Sequence, residues 1–284
     1  MEIILAKYAG FCFGVKRATQ LAFEAAGKTS PDGTYSLGPI IHSPQVVKRL
    51  EDMGVKVLRD LSALDSGTVI IRSHGVTAAE MDEVAAKDVE VVDATCPFVK
   101  KAQEHVKELA ADGYDVVVLG DYDHPEVEGL VSYATGRVHV VASAQDMAAL
   151  PNMKRIGIVA QTTQSLENLR SVVSEALIKG TEIRVYNTIC DATSVRQDEA
   201  RTLAASVDCM VVIGGYNSAN TRRLAEICHE IQANTHHIET VDQIESRWFQ
   251  GVERVGVTAG ASTPKWLIDE VMERISELTQ DKKD

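Results

Sequence analysis

Six short runs of apolar, largely β-branched residues recur along the chain, and each ends in a small polar turn followed by a helix-like pattern. The runs are TYSLGPIIHSP at 34–44, VIIRSHGV at 69–76, VVVLGDYDHPEV at 116–127, RIGIVAQTTQS at 155–165, MVVIGGYNSAN at 210–220 and RVGVTAGASTP at 254–264. Strands that alternate with helices in this way form parallel sheets with helices on both faces. The repeat therefore predicts an α/β fold with mainly parallel sheets.

Three further strand-like segments each lead into a cysteine and then into a helix pattern. Their sequences are EIILAKYAGFCFGVKRA, VEVVDATCPFVKKA and EIRVYNTICDATSVRQDEA. The six turns group into three pairs, and each pair gains one cysteine segment if the N-terminal segment completes the last pair. We therefore expect three quasi-equivalent lobes around a common centre. The expected limits are 1–12 for the N-terminal strand with its cysteine, then 13–97, 98–191 and 192–280 for the lobes.

The five cysteines divide into two groups by their sequence context. Cys209 lies in an apolar strand and Cys228 lies on a helix at apolar spacing, which is typical of core residues. Cys12, Cys96 and Cys190 lie at strand-to-helix junctions near basic residues, where a thiolate is stabilised. Three such thiolates fit a single zinc ion completed by histidine or water, or a four-iron cluster with one iron lacking a protein ligand. The residues alone leave both alternatives open.

His42, His74 and His124 each follow a predicted strand at corresponding turns. Such histidines serve either as metal ligands or as hydrogen-bond donors to an anion. The turns also carry small hydroxyl and amide side chains: Thr162, Thr163, Ser218, Asn220 and Ser262. Taken singly, each of these small residues fits a helix cap. Together with helix N-termini they favour a phosphate-binding site over a metal shell.

Glu126 is the candidate general acid, because it falls in the first turn of a helix two residues after His124. A carboxylate in that position is also favoured simply by the helix dipole. Asp121 and Asp123 compete for the role, but they lie closer to the tip of the turn, where we expect them to be solvated.

The overall charge excludes several classes of partner. The 284 residues carry a net charge of −12, which repels nucleic acid and anionic membranes. The chain has no apolar stretch long enough for a membrane span, and its first basic residues follow the apolar run, the wrong order for a signal peptide. Scattered single cysteines do not indicate a secreted disulfide framework, so we expect a cytoplasmic protein with reduced thiols.

The motifs as a set resemble the 4-hydroxy-3-methylbut-2-enyl diphosphate reductase family. They are AGFCFGVKRA, LGPIIHSP, IRSHGV, DATCPFV, HPEV, AQTTQ, TICDAT, NSAN and TAGAST, in order between about residue 3 and residue 276. The resemblance implies three α/β lobes around one [4Fe-4S] cluster per chain. Cys12, Cys96 and Cys190 would then bind three irons and leave the fourth iron open.

The resemblance also implies a reaction and a role for each turn residue. Two electrons and protons would remove the allylic hydroxyl of the substrate as water, giving isopentenyl and dimethylallyl diphosphate in the last step of the non-mevalonate pathway. Thr162 would contact the substrate hydroxyl and Glu126 would deliver protons. The diphosphate would be bound by His42, His74, His124, Ser218, Asn220 and Ser262. Ala219 departs from members with a second serine in this turn, which puts one hydroxyl contact in doubt.

Electrons would have to come from a partner, because no G-x-G-x-x-G or P-loop motif is present. Ferredoxin or flavodoxin has this role in the family. Two rival interpretations remain from the residues alone. A zinc hydrolase would use some of the cysteines and histidines and would be colourless, whereas a non-catalytic redox sensor would use the cluster without turnover.

Overall fold

The structure, a computed structural model, describes residues 1–28, 32–62 and 64–280. The strands of this part of the chain are β1 (Glu2–Leu5), β2 (Thr34–Leu37), β3 (Val55–Leu58), β4 (Thr68–Ile71), β5 (Glu90–Asp93), β6 (Asp115–Leu119), β7 (Val138–Val141), β8 (Met153–Ala160), β9 (Gly180–Tyr186), β10 (Cys209–Ile213), β11 (Thr235–Ile238) and β12 (Arg254–Ala259). The α-helices are α1 (Phe13–Ala26), α2 (Pro44–Asp52), α3 (Ala78–Ala85), α4 (Pro97–Ala111), α5 (Pro125–Ser132), α6 (Ala144–Ala149), α7 (Leu166–Lys179), α8 (Asp191–Ala204), α9 (Ala219–Ile231) and α10 (Lys265–Gln280). Two short 3₁₀ helices cover Val241–Gln243 and Ser246–Phe249.

The described strands form three sheets of four strands, and every pairing between them is parallel. The strand orders are β3-β2-β4-β5, β7-β6-β8-β9 and β11-β10-β12-β1. The three orders are equivalent. In each sheet the edge strand that leads to a cysteine pairs with the second central strand: β5 with β4, β9 with β8, and β1 with β12. The prediction of three α/β lobes is confirmed, and so is the use of the N-terminal strand to complete the last sheet.

Helices cover both faces of these sheets, as the apolar runs predict. In β10, Cys209, Val211 and Ile213 pack into one apolar cluster, while Met210 and Val212 pack into another. Side chains alternate between the two faces of a strand, so a run buried at every residue must be covered on both sides. The strand β6 divides its valines between two clusters in the same way.

The ends of the central strands are level, and this positions the turns that follow. Leu37 pairs with Ile71, Leu119 with Ala160, and Ile213 with Ala259, each at the carboxyl end of its strand. Because the strands are parallel, the two turns of each pair leave the sheet side by side.

By compactness the described chain divides into two units. One unit comprises Met1–Val15, His42–Val46 and Asp191–Asp284 and contains the sheet of β1, β10, β11 and β12. The other unit comprises Lys16–Ile41 and Val47–Cys190 and contains the other two sheets. The lobe limits expected from the sequence stay a prediction.

The structure adds three strands that the sequence pattern did not reveal: β3, β7 and β11. All three are edge strands of four residues, and each is only partly buried. Thr77 and Glu80 form a capping box at the N-terminus of α3, and Ser165 caps α7. None of the described helices is both long and apolar enough to cross a bilayer.

Candidate active site

Turns of the same design follow the strands β2, β6 and β10. In each, a glycine comes directly after the strand and a polar residue follows four positions later: His42 after Gly38, His124 after Gly120, and Ser218 after Gly214. His124 and Ser218 are the N-caps of α5 and α9, and His42 lies two residues before α2. Because unpaired N–H groups and the positive end of the dipole lie at helix N-termini, the turns suit an anionic ligand.

Glu126 lies in the first turn of α5 and is only 2% exposed. Both oxygens of its carboxyl group accept hydrogen bonds from Thr162. The backbone N–H of Thr162 donates to Oε1 at 2.6 Å, and the Thr162 hydroxyl donates to Oε2 at 2.9 Å. Burial raises the pKa of Glu126 to about 7, and the hydrogen bonds from Thr162 only partly oppose this shift. About half of such groups are protonated at neutral pH, which suits a general acid.

His124 is buried, and its Nδ1 accepts a hydrogen bond from the backbone N–H of Glu126 at 3.1 Å. With Nδ1 as the acceptor, the neutral ring carries its proton on Nε2. The ring of His74 packs edge-on against that of His124, with the ring centroids 5.4 Å apart. Two of the predicted histidines are therefore neighbours beside the candidate acid.

Asp121, Asp123 and the buried Gln161 lie in or beside the turn that carries His124. Asp123 is exposed, as expected, and Asp121 is partly buried. The side chain of Gln161 is fully buried, and its Oε1 accepts a hydrogen bond from the backbone N–H of Asp121 at 3.0 Å. Gln161 therefore supports the turn that carries His124. Sequence reasoning missed it because a glutamine in a polar turn has no distinctive chemistry of its own.

Cys12, Cys96 and Cys190 occupy equivalent positions in the chain. Each directly precedes the first residue of a helix: α1, α4 and α8, respectively. The backbone N–H of each cysteine donates to a carbonyl in the turn after the second central strand of a sheet. The acceptors are Ala261 at 3.2 Å for Cys12, Ser73 at 2.9 Å for Cys96 and Thr162 at 3.0 Å for Cys190. The thiol of each is thus held at a helix N-terminus, where a thiolate is favoured.

Exposure separates these three cysteines from the other two. Cys12, Cys96 and Cys190 form no disulfide and are partly exposed. Cys12 also accepts a hydrogen bond at Sγ from the backbone N–H of Val15 at 3.5 Å. Cys209 and Cys228 are buried, and burial raises the pKa of both thiols to about 12. A thiol with so high a pKa is a poor metal ligand at neutral pH.

The small polar residues fall into two kinds. Ser218 caps α9, with its hydroxyl accepting from the backbone N–H of Thr221 at 3.3 Å, and the Ser262 hydroxyl donates to the carbonyl of His42 at 3.1 Å. Asn220 is 6% exposed, and its Nδ2 has no hydrogen-bond partner among the described residues. Because a buried unpaired donor is costly, Asn220 is the member of this set that most needs a ligand.

The predicted site residues are divided between the two units. Those in the unit with the N-terminus are Cys12, His42, Ser218, Asn220 and Ser262. Those in the other unit are His74, Cys96, His124, Glu126, Thr162 and Cys190. The second unit therefore brings together the candidate acid, its threonine partner and two histidines. The first unit holds the serines and Asn220, whose Nδ2 lacks a hydrogen-bond partner among the described residues.

Comparison with known proteins gives a consistent result over nearly the whole chain. Residues 3–276 match the family described as LytB protein. The 4-hydroxy-3-methylbut-2-enyl diphosphate reductase of Geobacter sulfurreducens is 70% identical over 283 residues, covering 100% of both chains. The protein of the same name from Geotalea uraniireducens is 67% identical over 282 residues and 99% of both chains.

Two solved structures are also similar. One is (E)-4-hydroxy-3-methyl-but-2-enyl diphosphate reductase, described as the terminal enzyme of the non-mevalonate pathway. It is 47% identical, with a TM-score of 0.71, and the match covers 98% of this chain and 100% of that one. The other is the E-1-hydroxy-2-methyl-but-2-enyl-4-diphosphate reductase of Plasmodium falciparum. It is 27% identical, with a TM-score of 0.91, and the match covers 96% of this chain and 87% of that one.

Proposed function

The chain belongs to the LytB protein family, and from this premise we propose how its own residues carry out the family's reaction. The protein is a 4-hydroxy-3-methylbut-2-enyl diphosphate reductase that acts in the last step of the non-mevalonate pathway. Two electrons and two protons replace the allylic hydroxyl by hydrogen and release water, giving isopentenyl or dimethylallyl diphosphate. The observation that carries the assignment of roles is the buried carboxyl group of Glu126, paired with Thr162.

We infer that Cys12, Cys96 and Cys190 hold one [4Fe-4S] cluster and leave the fourth iron without a protein ligand. The donors fit such a group, because three partly exposed thiols stand at equivalent helix N-termini while the other two are buried with raised pKa values. When bound, the cluster supplies the electrons and a Lewis acid for the leaving oxygen. It also distinguishes this reductase from a zinc hydrolase.

Glu126 holds the proton that the leaving hydroxyl requires. Hydroxide is a poor leaving group, so protonation of this oxygen must accompany cleavage of the carbon–oxygen bond. When Glu126 is protonated at Oε2, its proton faces the Thr162 hydroxyl oxygen at 2.9 Å. Thr162 then accepts this proton and donates its own to the substrate oxygen. Because the carboxyl group is buried, bulk water does not compete for the proton.

The diphosphate is bound by the histidines and small polar residues of the turns: His42, His74, His124, Ser218, Asn220 and Ser262. Donors of this kind, together with helix N-termini, offset the negative charge of the ligand although the whole chain carries −12. Two positions support this role directly, because Nε2 of neutral His124 is a donor and Nδ2 of Asn220 is buried without a partner among the described residues. Ala219 contributes no hydroxyl, so this turn binds through its two neighbours.

We propose that the electrons come from a ferredoxin or a flavodoxin and that the protein acts in the cytoplasm. The sequence has no dinucleotide-binding motif through which the chain could take hydride from a nicotinamide. Small diffusible redox proteins carry one electron at a time, which matches an iron–sulfur acceptor.

The test is metal analysis of anaerobically purified protein, together with its absorption spectrum and turnover of the allylic diphosphate with a reduced dye. We expect a brown protein with about four irons and four sulfides per chain. A colourless zinc protein would refute the reductase assignment. A brown protein that does not turn over the diphosphate would instead support the non-catalytic sensor.

A further inference from the structure

Two of the three turns that lead to a cysteine are closed by a side chain of their own. Oδ1 of Asp93 accepts a hydrogen bond from the backbone N–H of Thr95 at 2.9 Å. Oδ1 of Asn187 accepts one from the backbone N–H of Ile189 at 3.2 Å. Each of these residues stands three positions before its cysteine, and such a bond fixes the turn locally. The corresponding position before Cys12 is Ala9, whose side chain has no acceptor.

Because Ala9 cannot close this third turn with a side-chain hydrogen bond, side chains of helix α8 make the hydrogen bonds to its backbone instead. The carboxylate of Glu199 accepts the backbone N–H groups of Lys7 and Tyr8, at 2.7 and 2.9 Å. One turn earlier on the helix, Arg196 donates from Nε to the carbonyl of Tyr8 at 3.0 Å and from Nη2 to the carbonyl of Gly10 at 2.7 Å. Two side chains of one helix therefore hold the backbone of residues 7–10 through four hydrogen bonds.

The turn is closely fitted and requires a specific backbone conformation. Gly10 has φ +91°, and a Cβ atom there would lie 2.9 Å from Cδ1 of Ile268 and 3.2 Å from the carbonyl oxygen of Thr263. Glycine is required at such a position, but it also gives the unrestrained turn many alternative conformations. External hydrogen bonds are therefore needed to select one of them.

The burial of Arg196 argues against an incidental contact. Arg196 is only 3% exposed, and burying a guanidinium group is unfavourable unless its donors are satisfied. It also donates from Nη1 to the carbonyl of Ala192, at 3.3 Å, in its own helix. Its two shorter bonds go to the carbonyls of Tyr8 and Gly10, in the turn that leads into Cys12.

We propose that Arg196 and Glu199 are positioning residues that hold the turn before Cys12 in the conformation that cluster binding requires. The inference rests on the proposed function, in which Cys12 is a cluster ligand. It predicts that Cys12 depends on α8, whereas Cys96 depends on the turn closed by Asp93. Arg17 provides a matched comparison, because it makes only longer bonds, 3.4 and 3.3 Å, to the carbonyls of Asp93 and Thr95.

The first experiment measures iron release from the reduced holoprotein to an Fe²⁺ chelator under anaerobic conditions. Loss of the Arg196 bonds in Arg196→Met is expected to speed release about tenfold, and Glu199→Ala is expected to act in the same direction. Arg196→Lys, which keeps the charge and one donor group, is expected to restore part of the stability of the cluster. Arg274→Met, at an exposed arginine of α10, is the control and is expected to release iron at the wild-type rate.

The second experiment measures alkylation of each cysteine by iodoacetamide in the cluster-free full-length chain, using mass spectrometry. In Arg196→Met and Glu199→Ala the rate at Cys12 should change severalfold relative to Cys96 in the same molecule, whereas Arg17→Met should leave Cys12 unchanged. Buried Cys228 is an internal monitor of folding. If Cys228 becomes reactive in Arg196→Met, that variant is unfolded. The test then rests on Glu199→Ala, because the side chain of Glu199 is only partly buried.

Wild-type iron release and a wild-type Cys12 to Cys96 ratio in a folded Arg196→Met or Glu199→Ala chain would overturn the proposal. Failure of the proposed function gives a different result. In that case the wild-type chain takes up no iron and sulfide, while the alkylation ratio at Cys12 still changes in the variants.

Discussion

The replacement of Glu126 by glutamine tests the central chemical claim, because it keeps the shape of a buried side chain and removes its ionisation. The amide oxygen of glutamine can still accept the backbone N–H of Thr162, which donates to Glu126 at 2.6 Å. The variant therefore resembles the protonated form of the wild-type residue at every pH. Its comparison with the wild-type chain isolates the free energy of ionising Glu126 in its buried position.

The expected magnitude follows from the pKa of Glu126, which is about 7 in the folded chain against an ordinary value of 4.5. One pKa unit corresponds to about 1.4 kcal/mol, so ionisation destabilises the folded chain by about 3 kcal/mol. Because the pKa of Glu126 is higher in the folded chain than in the unfolded chain, folding favours the protonated carboxyl group. The stability that this neutral form contributes is fully present below pH 4.5 and is lost as the pH rises through 7. Between pH 5 and pH 8.5 the wild-type free energy of unfolding should fall by about 2.5 kcal/mol more than that of Glu126→Gln.

The assay is urea denaturation of the cluster-free chain with reduced thiols at a series of pH values. Other titrating groups cancel when the two chains are compared at the same pH. Glu128→Gln is the matched control, because it changes an exposed carboxylate of the same helix. A difference between wild type and Glu126→Gln that stays constant from pH 5 to pH 8.5 would refute the reasoning. In the holoprotein, Glu126→Gln should keep its iron and lose about 10²- to 10⁴-fold in turnover.

The remaining predictions concern the cluster, the proton path and the diphosphate. Cys96→Ser should lose cluster iron and Cys209→Ser should keep it, because the latter thiol is buried in the core; equal iron loss by metal analysis would contradict this division. Thr162→Val removes both the hydroxyl that relays the proton and a hydrogen bond that lowers the pKa of Glu126, so kcat should fall and the basic limb of the residual pH–kcat profile should move to higher pH, whereas Thr162→Ser should keep both. Asn220→Ala should raise KM for the diphosphate about tenfold at unchanged iron content, and an unchanged KM in steady-state kinetics would remove Asn220 from the binding set.

The sheets follow from the sequence wherever a strand is buried on both faces. The residues of β10 run Cys209–Ile213, all apolar and all buried, and this pattern is local enough to be seen without a structure. The edge strands β3, β7 and β11 are short and mostly half-exposed, and unlike the edge strands β1, β5 and β9 they lead into no cysteine junction that marks them in the sequence. His236 and His237 in β11 give it no apolar run, and its strand conformation comes from pairing with β10.

The positions of the cysteines and turn residues were likewise determined by the sequence, because the repeat places each of them between a strand and a helix. The properties that chemistry requires were decided only by the tertiary structure. Thr162 is 36 residues from Glu126, and their contact in a buried site accompanies the rise of the pKa to about 7. Arg196 is 188 residues from Tyr8, yet it supplies the support that Ala9 lacks. Periodicity is a property of neighbouring residues, whereas burial and hydrogen bonding depend on segments that only folding brings together.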